Sequence, residues 1–214
     1  MKLVKSSIFA SAFVVAFGLV STAAAQDPVN NEVFIDQFGD AATSTFDQRG
    51  LGNTLDVLQD GQTLTTDSTQ AGQNNIIDID QTGENLDVVI DQVGFSNESY
   101  ITQTGRNNNA LVDDQSGDFN ILTITQSANH GGNGESDVEV TQGGDFNIAT
   151  LIQGSRNSLI DLDQGGFGND VIVVQSEGGN LNNVDLFQRG ADNNIDVLQD
   201  GTNLSVTGAQ RGGA

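Results

Sequence analysis

The sequence predicts an all-β fold, a β-solenoid of about eight coils of roughly 22 residues with two facing parallel sheets. Three observations predict it. A glutamine recurs every eleven residues from Gln37 onward, and a fixed period along a chain signals stacked supersecondary units. Apolar residues alternate with polar ones ahead of each glutamine. The only proline is Pro28, so nothing after it lacks a backbone donor for a strand ladder.

The elements follow in order. Residues 1–25 have the layout of a secretory signal peptide: Lys2 and Lys5, an apolar run from Ile8 to Val20, and Ala23-Ala24-Ala25 as a small-residue cleavage site. That run of thirteen is short of the ~20 residues a membrane-spanning helix needs. A short segment, 26–32, precedes the repeats at 33–214. The glutamines are Gln37, Gln48, Gln59, Gln70, Gln81, Gln92, Gln103, Gln115, Gln126, Gln142, Gln153, Gln164, Gln175, Gln188, Gln199 and Gln210. Three intervals depart from eleven: twelve before Gln115, sixteen before Gln142 and thirteen before Gln188.

Ahead of the glutamines, the places four and two residues earlier hold Ile77 and Ile79, Val88 and Ile90, Leu122 and Ile124, Ile160 and Leu162, Val171 and Val173, and Ile195 and Val197. With a side-chain period of two, these and the glutamine share one strand face. Asp78, Asp80, Asp161 and Asp163 fall between them, on the outer face. Apolar residues at i and i+2 do not share a helical face, so the helix reading fails. After most glutamines comes Gly, then Asn, as in Gln70-Ala-Gly-Gln-Asn-Asn75. Both tolerate turn backbone. Each unit is thus one short strand and a turn, with odd strands stacked on odd and even on even. At about 4.8 Å per coil, eight coils stand roughly 38 Å tall.

Buried amides need partners. A stack of like side chains supplies them, each donating to one neighbour and accepting from the other, and it also fixes register. The expected inner ladder comprises the sixteen glutamines with Asn53, Asn75, Asn97, Asn108, Asn120, Asn147, Asn169, Asn180 and Asn193. Its role is structural, not chemical.

The tandem Gln-x-Gly-x-x-Asn units resemble the curlin repeat, found in subunits of curli, the bacterial extracellular amyloid fibres. The resemblance covers 33–214. It implies a secreted β-solenoid that assembles outside the cell into fibres for adhesion and biofilm matrix. It also implies three partners: further copies of the chain, a minor nucleating curlin and an outer-membrane export channel. Family members carry a Gly- and Asn-rich segment ahead of the repeats, whereas here only 26–32 stand there. Ala128 and Glu177 occupy Gly places, and Leu64 and Ser158 occupy Asn places.

The chain has 29 acids against seven bases, for a net charge of −22, and removal of Lys2 and Lys5 leaves −24. Such a chain repels nucleic acid and anionic lipid. With no cysteine, burial and backbone pairing must hold it. Glu139, Asp161 and Asp185 are expected to line up one coil apart, as are Asp91 and Asp114, and Asp56 and Asp78; simple solvation of the rows is the expectation, and the functional alternative is a brake on association that protons or divalent cations release. Gly165 to Val173 matches one calcium-binding nonapeptide, but calcium rolls repeat it at period nine, so an ordinary turn is the expectation. His130, the one histidine, lies in the Ala128–Ser136 insertion, and nucleophile elbow and P-loop are absent. No enzyme, catalytic residue, metal or cofactor is expected. Two other readings stand beside the fibre subunit: a monomeric surface-binding solenoid, and more distantly a carbohydrate-active β-helix enzyme. A binding solenoid caps its ends, whereas this chain starts its first strand at Val33 and closes on Gln210-Arg-Gly-Gly-Ala.

Overall fold

The structure is a computed structural model that describes residues 20–25, 31–127 and 135–212. Residues 1–19 of the predicted secretory segment, most of 26–32 and most of the Ala128–Ser136 insertion, His130 included, lie outside the described residues. The chain is all β. Its strands are β1 (Val20–Ala25), β2 (Glu32–Asp40), β3 (Thr43–Leu51), β4 (Thr54–Gln73), β5 (Ile76–Phe95), β6 (Glu98–Asp118) and β7 (Ile121–Gln126). They continue as β8 (Ser136–Asp145), β9 (Ile148–Gln153), β10 (Leu159–Phe167), β11 (Asp170–Gln175), β12 (Asn183–Ala191), β13 (Asn194–Gln199) and β14 (Ser205–Gly212).

Every pairing is parallel, one coil to the next. One face runs β2, the first halves of β4, β5 and β6, then β7, β9, β11 and β13. The other runs β3, the second halves of β4, β5 and β6, then β8, β10, β12 and β14. Glutamine meets glutamine throughout, as Gln59 with Gln81 and Gln70 with Gln92. The expectation of one short strand per unit needs correction in the middle. There β4, β5 and β6 carry their pairing round the corner as single strands of 20, 20 and 21 residues. A corner holds its ladder when the coils above and below turn at the same residues.

The core is a thin apolar slab between the faces. It contains Val33, Ile35, Ile77, Ile79, Val88, Ile90, Leu122, Ile124, Ile160, Leu162, Val171 and Val173, all buried. Ile195, from the last predicted pair, is only partly buried, because no described coil lies beyond β13. The irregular intervals are absorbed locally. The extra residue before Gln115 becomes a β-bulge, with Val112 paired to Ile90 and Gln115 to Gln92. The thirteen-residue interval widens a corner at Gly178 and Gly179, where Gly178 has φ +84°.

One strand was not expected. β1 lies parallel on β3 with Ala25 opposite Gln48, an offset of 23 residues in place of 22. The solenoid of the full chain therefore begins on one face with part of the predicted secretory segment, ahead of Val33.

Candidate functional site

The site is built from amides. All sixteen glutamines point inward. Fifteen are buried, and Gln210 on the last strand is half-exposed. On the first face, the Nε2 of Gln37 donates to Gln59 at 2.5 Å, Gln59 to Gln81 at 2.7 Å, and Gln81 to Gln103 at 2.9 Å. The column goes on through Gln126, Gln153 and Gln175 to Gln199. On the second face, Gln48 begins a column that runs through Gln70, Gln92, Gln115, Gln142, Gln164 and Gln188 to Gln210.

The direction is the same at every rung: each Nε2 donates towards the C-terminal coil. A second bond fixes it. The same Nε2 of Gln81 donates across the core to the Thr65 carbonyl at 3.1 Å, that of Gln103 to Asp87 O at 3.0 Å, and that of Gln164 to Ile148 O at 3.1 Å. Only the amide nitrogen can serve a carbonyl, so the side chain cannot be turned round. From Gln48 to Gln188, each glutamine thereby ties its own coil to the next and one face to the other.

The asparagines behave differently from the expected stack of like amides. Asn53, Asn75, Asn97, Asn120, Asn147, Asn169 and Asn193 occupy one corner. There each Oδ1 accepts the backbone N–H of the next asparagine, as Asn75 N to Asn53 and Asn120 N to Asn97. Each Nδ2 donates to the carbonyl four residues back and to a glycine carbonyl of the next coil. Asn97, for example, reaches Val93 O at 3.1 Å and Gly117 O at 2.7 Å. This column splices side chain to backbone, because the corner exposes peptide groups that the ladder alone leaves open.

The opposite corner is mixed. Ala42, Leu64 and Leu86 form a separate apolar cluster there, and Asn108, Ser136, Ser158 and Asn182 continue the column, all buried. Asn180 is corrected: it is half-exposed and outside the inner column. Asn182 takes its place, donating to Gly201 O at 3.0 Å, because the widened corner shifts the frame by two residues.

Sequence reasoning missed two columns. Where a glycine stands two residues after a glutamine from Gln37 to Gln199, it has positive φ, +148° at Gly83. A Cβ there would lie 1.9 Å from Gly105 O. The requirement is steric as well as conformational, and the strict Gln-x-Gly spacing was its signal. Half-buried Phe95 and exposed Phe119, Phe146 and Phe167 form an aromatic row with centroids 5.0–5.3 Å apart. The repeated Gly-Asp-Phe-Asn at 117–120 and 144–147 was its trace.

Two acidic rows fall where expected, with Asp161 opposite both Glu139 and Asp185, and Asp56 opposite Asp78, whereas Asp91 and Asp114 fall at the β-bulge, where the register shifts. Partial burial, with Asp185 and Asp163 nearby, raises the Asp161 carboxyl above its usual range. Burial and then Asp36 do the same at Asp56, and burial and then Asp56 at Asp78. The Gly165–Val173 nonapeptide spans the corner between β10 and β11.

The ends matter most. Gln37 and Gln48 keep buried Oε1 atoms with no donor. At the other end, β13 and β14 have no described strand beyond them. One end therefore keeps acceptors without donors, while at the other Gln199 Nε2 donates to the Asn183 carbonyl and finds no further glutamine beyond it among the described residues.

Fold and site together define a class: a polar-laddered parallel β-solenoid whose first and last described coils leave amide groups of opposite kind. Residues 83–113, from the end of one coil through the next, match the family model described as the curlin associated repeat. The chain carries that repeat, which supports membership of the curlin family. No curated protein matches the chain.

Proposed function

We propose that the chain is the structural subunit of an extracellular curli-type amyloid fibre, used for cell adhesion and biofilm matrix, and that it grows by end-to-end stacking of coils. The observation that carries this is the opposition of the ends. Continuing the 22-residue frame into a second copy sets Gln199 under Gln37 and Gln210 under Gln48. The orphaned Oε1 atoms then receive their missing donors. Outer-face residues join too. Leu198, 69% exposed, comes between Phe34 and Phe38, which are 52% and 50% exposed. An uncapped edge is a hazard in a monomer and the route of growth in a fibre. The predicted secretory segment ends in β1 on the β3 edge, so cleavage after Ala25 frees that edge for the incoming copy.

The test is assembly of the purified chain. Thioflavin-positive fibres with reflections near 4.8 Å and 10 Å are expected. The double change Gln199→Ala and Gln210→Ala is expected to leave the monomer folded and to slow elongation. A chain that stays monomeric through prolonged incubation at high concentration overturns the proposal in favour of a solitary surface-binding solenoid.

A further inference from the structure

A second polar site lies away from the ends, where the mixed corner passes the insertion. Asp87 on β5 pairs with Asn109 on β6, and Asn109 with Asp137 on β8. Three successive rungs at about 4.8 Å thus bring two carboxylates to either side of an amide. With Asn108 and the exposed Glu135, these residues line a cleft of about 260 Å³, and among the described residues no Lys, Arg or His lines it.

Asn108 is the informative member. It is 1% exposed, and its Nδ2 donates to Thr104 O at 2.9 Å, but its Oδ1 has no partner. At the opposite corner, the equivalent oxygens accept the next coil's N–H. Here one neighbour is Leu86, and the other, Ser136, follows directly on the insertion. Asp87 Oδ1 is likewise buried without a partner. The two residues with orphaned oxygens, Asn108 and Asp87, therefore line one cleft with two further carboxylates. A neutral donor would serve one of them, whereas a cation that takes several oxygen ligands serves all.

We propose that this cleft binds a divalent cation of the calcium type, bridging the coils of Asp87, Asn109 and Asp137. Among the described residues no three acidic, His or Cys side chains already converge, so the set needs its amide oxygens. Mixed carboxylate and amide oxygens in irregular geometry suit calcium better than magnesium, which demands a near-ideal octahedron. Burial, then Asp67, pushes the Asp87 carboxyl up, and burial, then Glu135, does so at Asp137. A bound cation offsets both.

The experiment is calorimetric calcium titration of the purified chain at neutral pH, with melting followed by circular dichroism. One saturable site is expected, together with a higher melting temperature in calcium. Asp87→Asn and Asp137→Asn are each expected to weaken binding by at least about tenfold. Both remove like charge, so both fold, and neither is stabilised by calcium. Asn108→Leu, matched to Leu86 beside it, also weakens binding. Asp161→Asn, on the outward acidic row, leaves it unchanged. Absence of a saturable site, full affinity in the Asp87 and Asp137 variants, or equal loss in Asp161→Asn each overturns the proposal.

Discussion

At the scale of residues, this chain assigns its side chains by what each place leaves unpaired. Gln81 serves four groups: it accepts from Gln59 and Thr66, and donates to Gln103 and the Thr65 carbonyl. Gln81→Ala strands several of these partners and opens a cavity, so a loss of about 2–4 kcal/mol is expected in denaturant unfolding. Thr102→Ala, on the outer face, is expected to cost no more than about 0.5 kcal/mol. Equal losses would mean that the amides do not hold the core. Gly83→Ala combines a backbone clash with positive φ, and a loss of at least about 3 kcal/mol is expected. Thr63 is the reverse case. A β-branched residue at φ +56° is strained, so Thr63→Gly is expected to raise stability by about 1 kcal/mol. The inward glutamines were legible because a period of two lets one anchor place its neighbours. The glycine contacts were not, because a clash between coils exists only once the coils are stacked.

Elements were legible in their number and register, and less so in their corners. Both corners share one sequence pattern, yet one is a continuous asparagine column and the other mixes Ala42, Leu64, Leu86, Asn108 and Ser136. The 22-residue frame separates the two corners only if alternate units are read apart. Leu64, read singly, looks like a lapse in the motif, whereas with Ala42 and Leu86 it forms an apolar cluster. Asn180 was misplaced because the two added residues at Gly178 and Gly179 move the frame. The corners are not interchangeable. Asn120→Leu unpairs the Asn147 N–H and the Gly144 carbonyl, and thermal unfolding should show a loss of about 2–4 kcal/mol. Leu86→Asn puts an amide into the apolar corner and is expected to cost about as much, by loss of burial and an unsatisfied group. A variant at either corner that melts with the parent chain would contradict this division.

For the whole molecule the dominant fact is charge, −22 over 214 residues, partly arranged in rows. Asp56, Asp78, Asp87, Asp137 and Asp161 have carboxyls raised in the folded state. The folded chain therefore takes up protons before the unfolded one. Stability is lowest at neutral pH, grows as pH falls through the raised values, and levels off below the unfolded value near 3.9. A higher melting temperature at pH 4.5 than at pH 7 is expected in low salt, with a smaller difference once salt screens the rows. A lower melting temperature at pH 4.5 would contradict the sign. The composition made the acidity plain, but partial burial of particular carboxylates needed the stacked coils. The glutamine columns carry one more whole-molecule property. Backbone dipoles in a sheet largely cancel, but the side-chain amides all align, Nε2 towards the C-terminal coil. At about 3.5 D per amide, the two columns sum to a moment on the order of tens of debye along the axis. The molecule is an electric needle: it should turn in an applied field, and laid side by side its neighbours should lie head against tail.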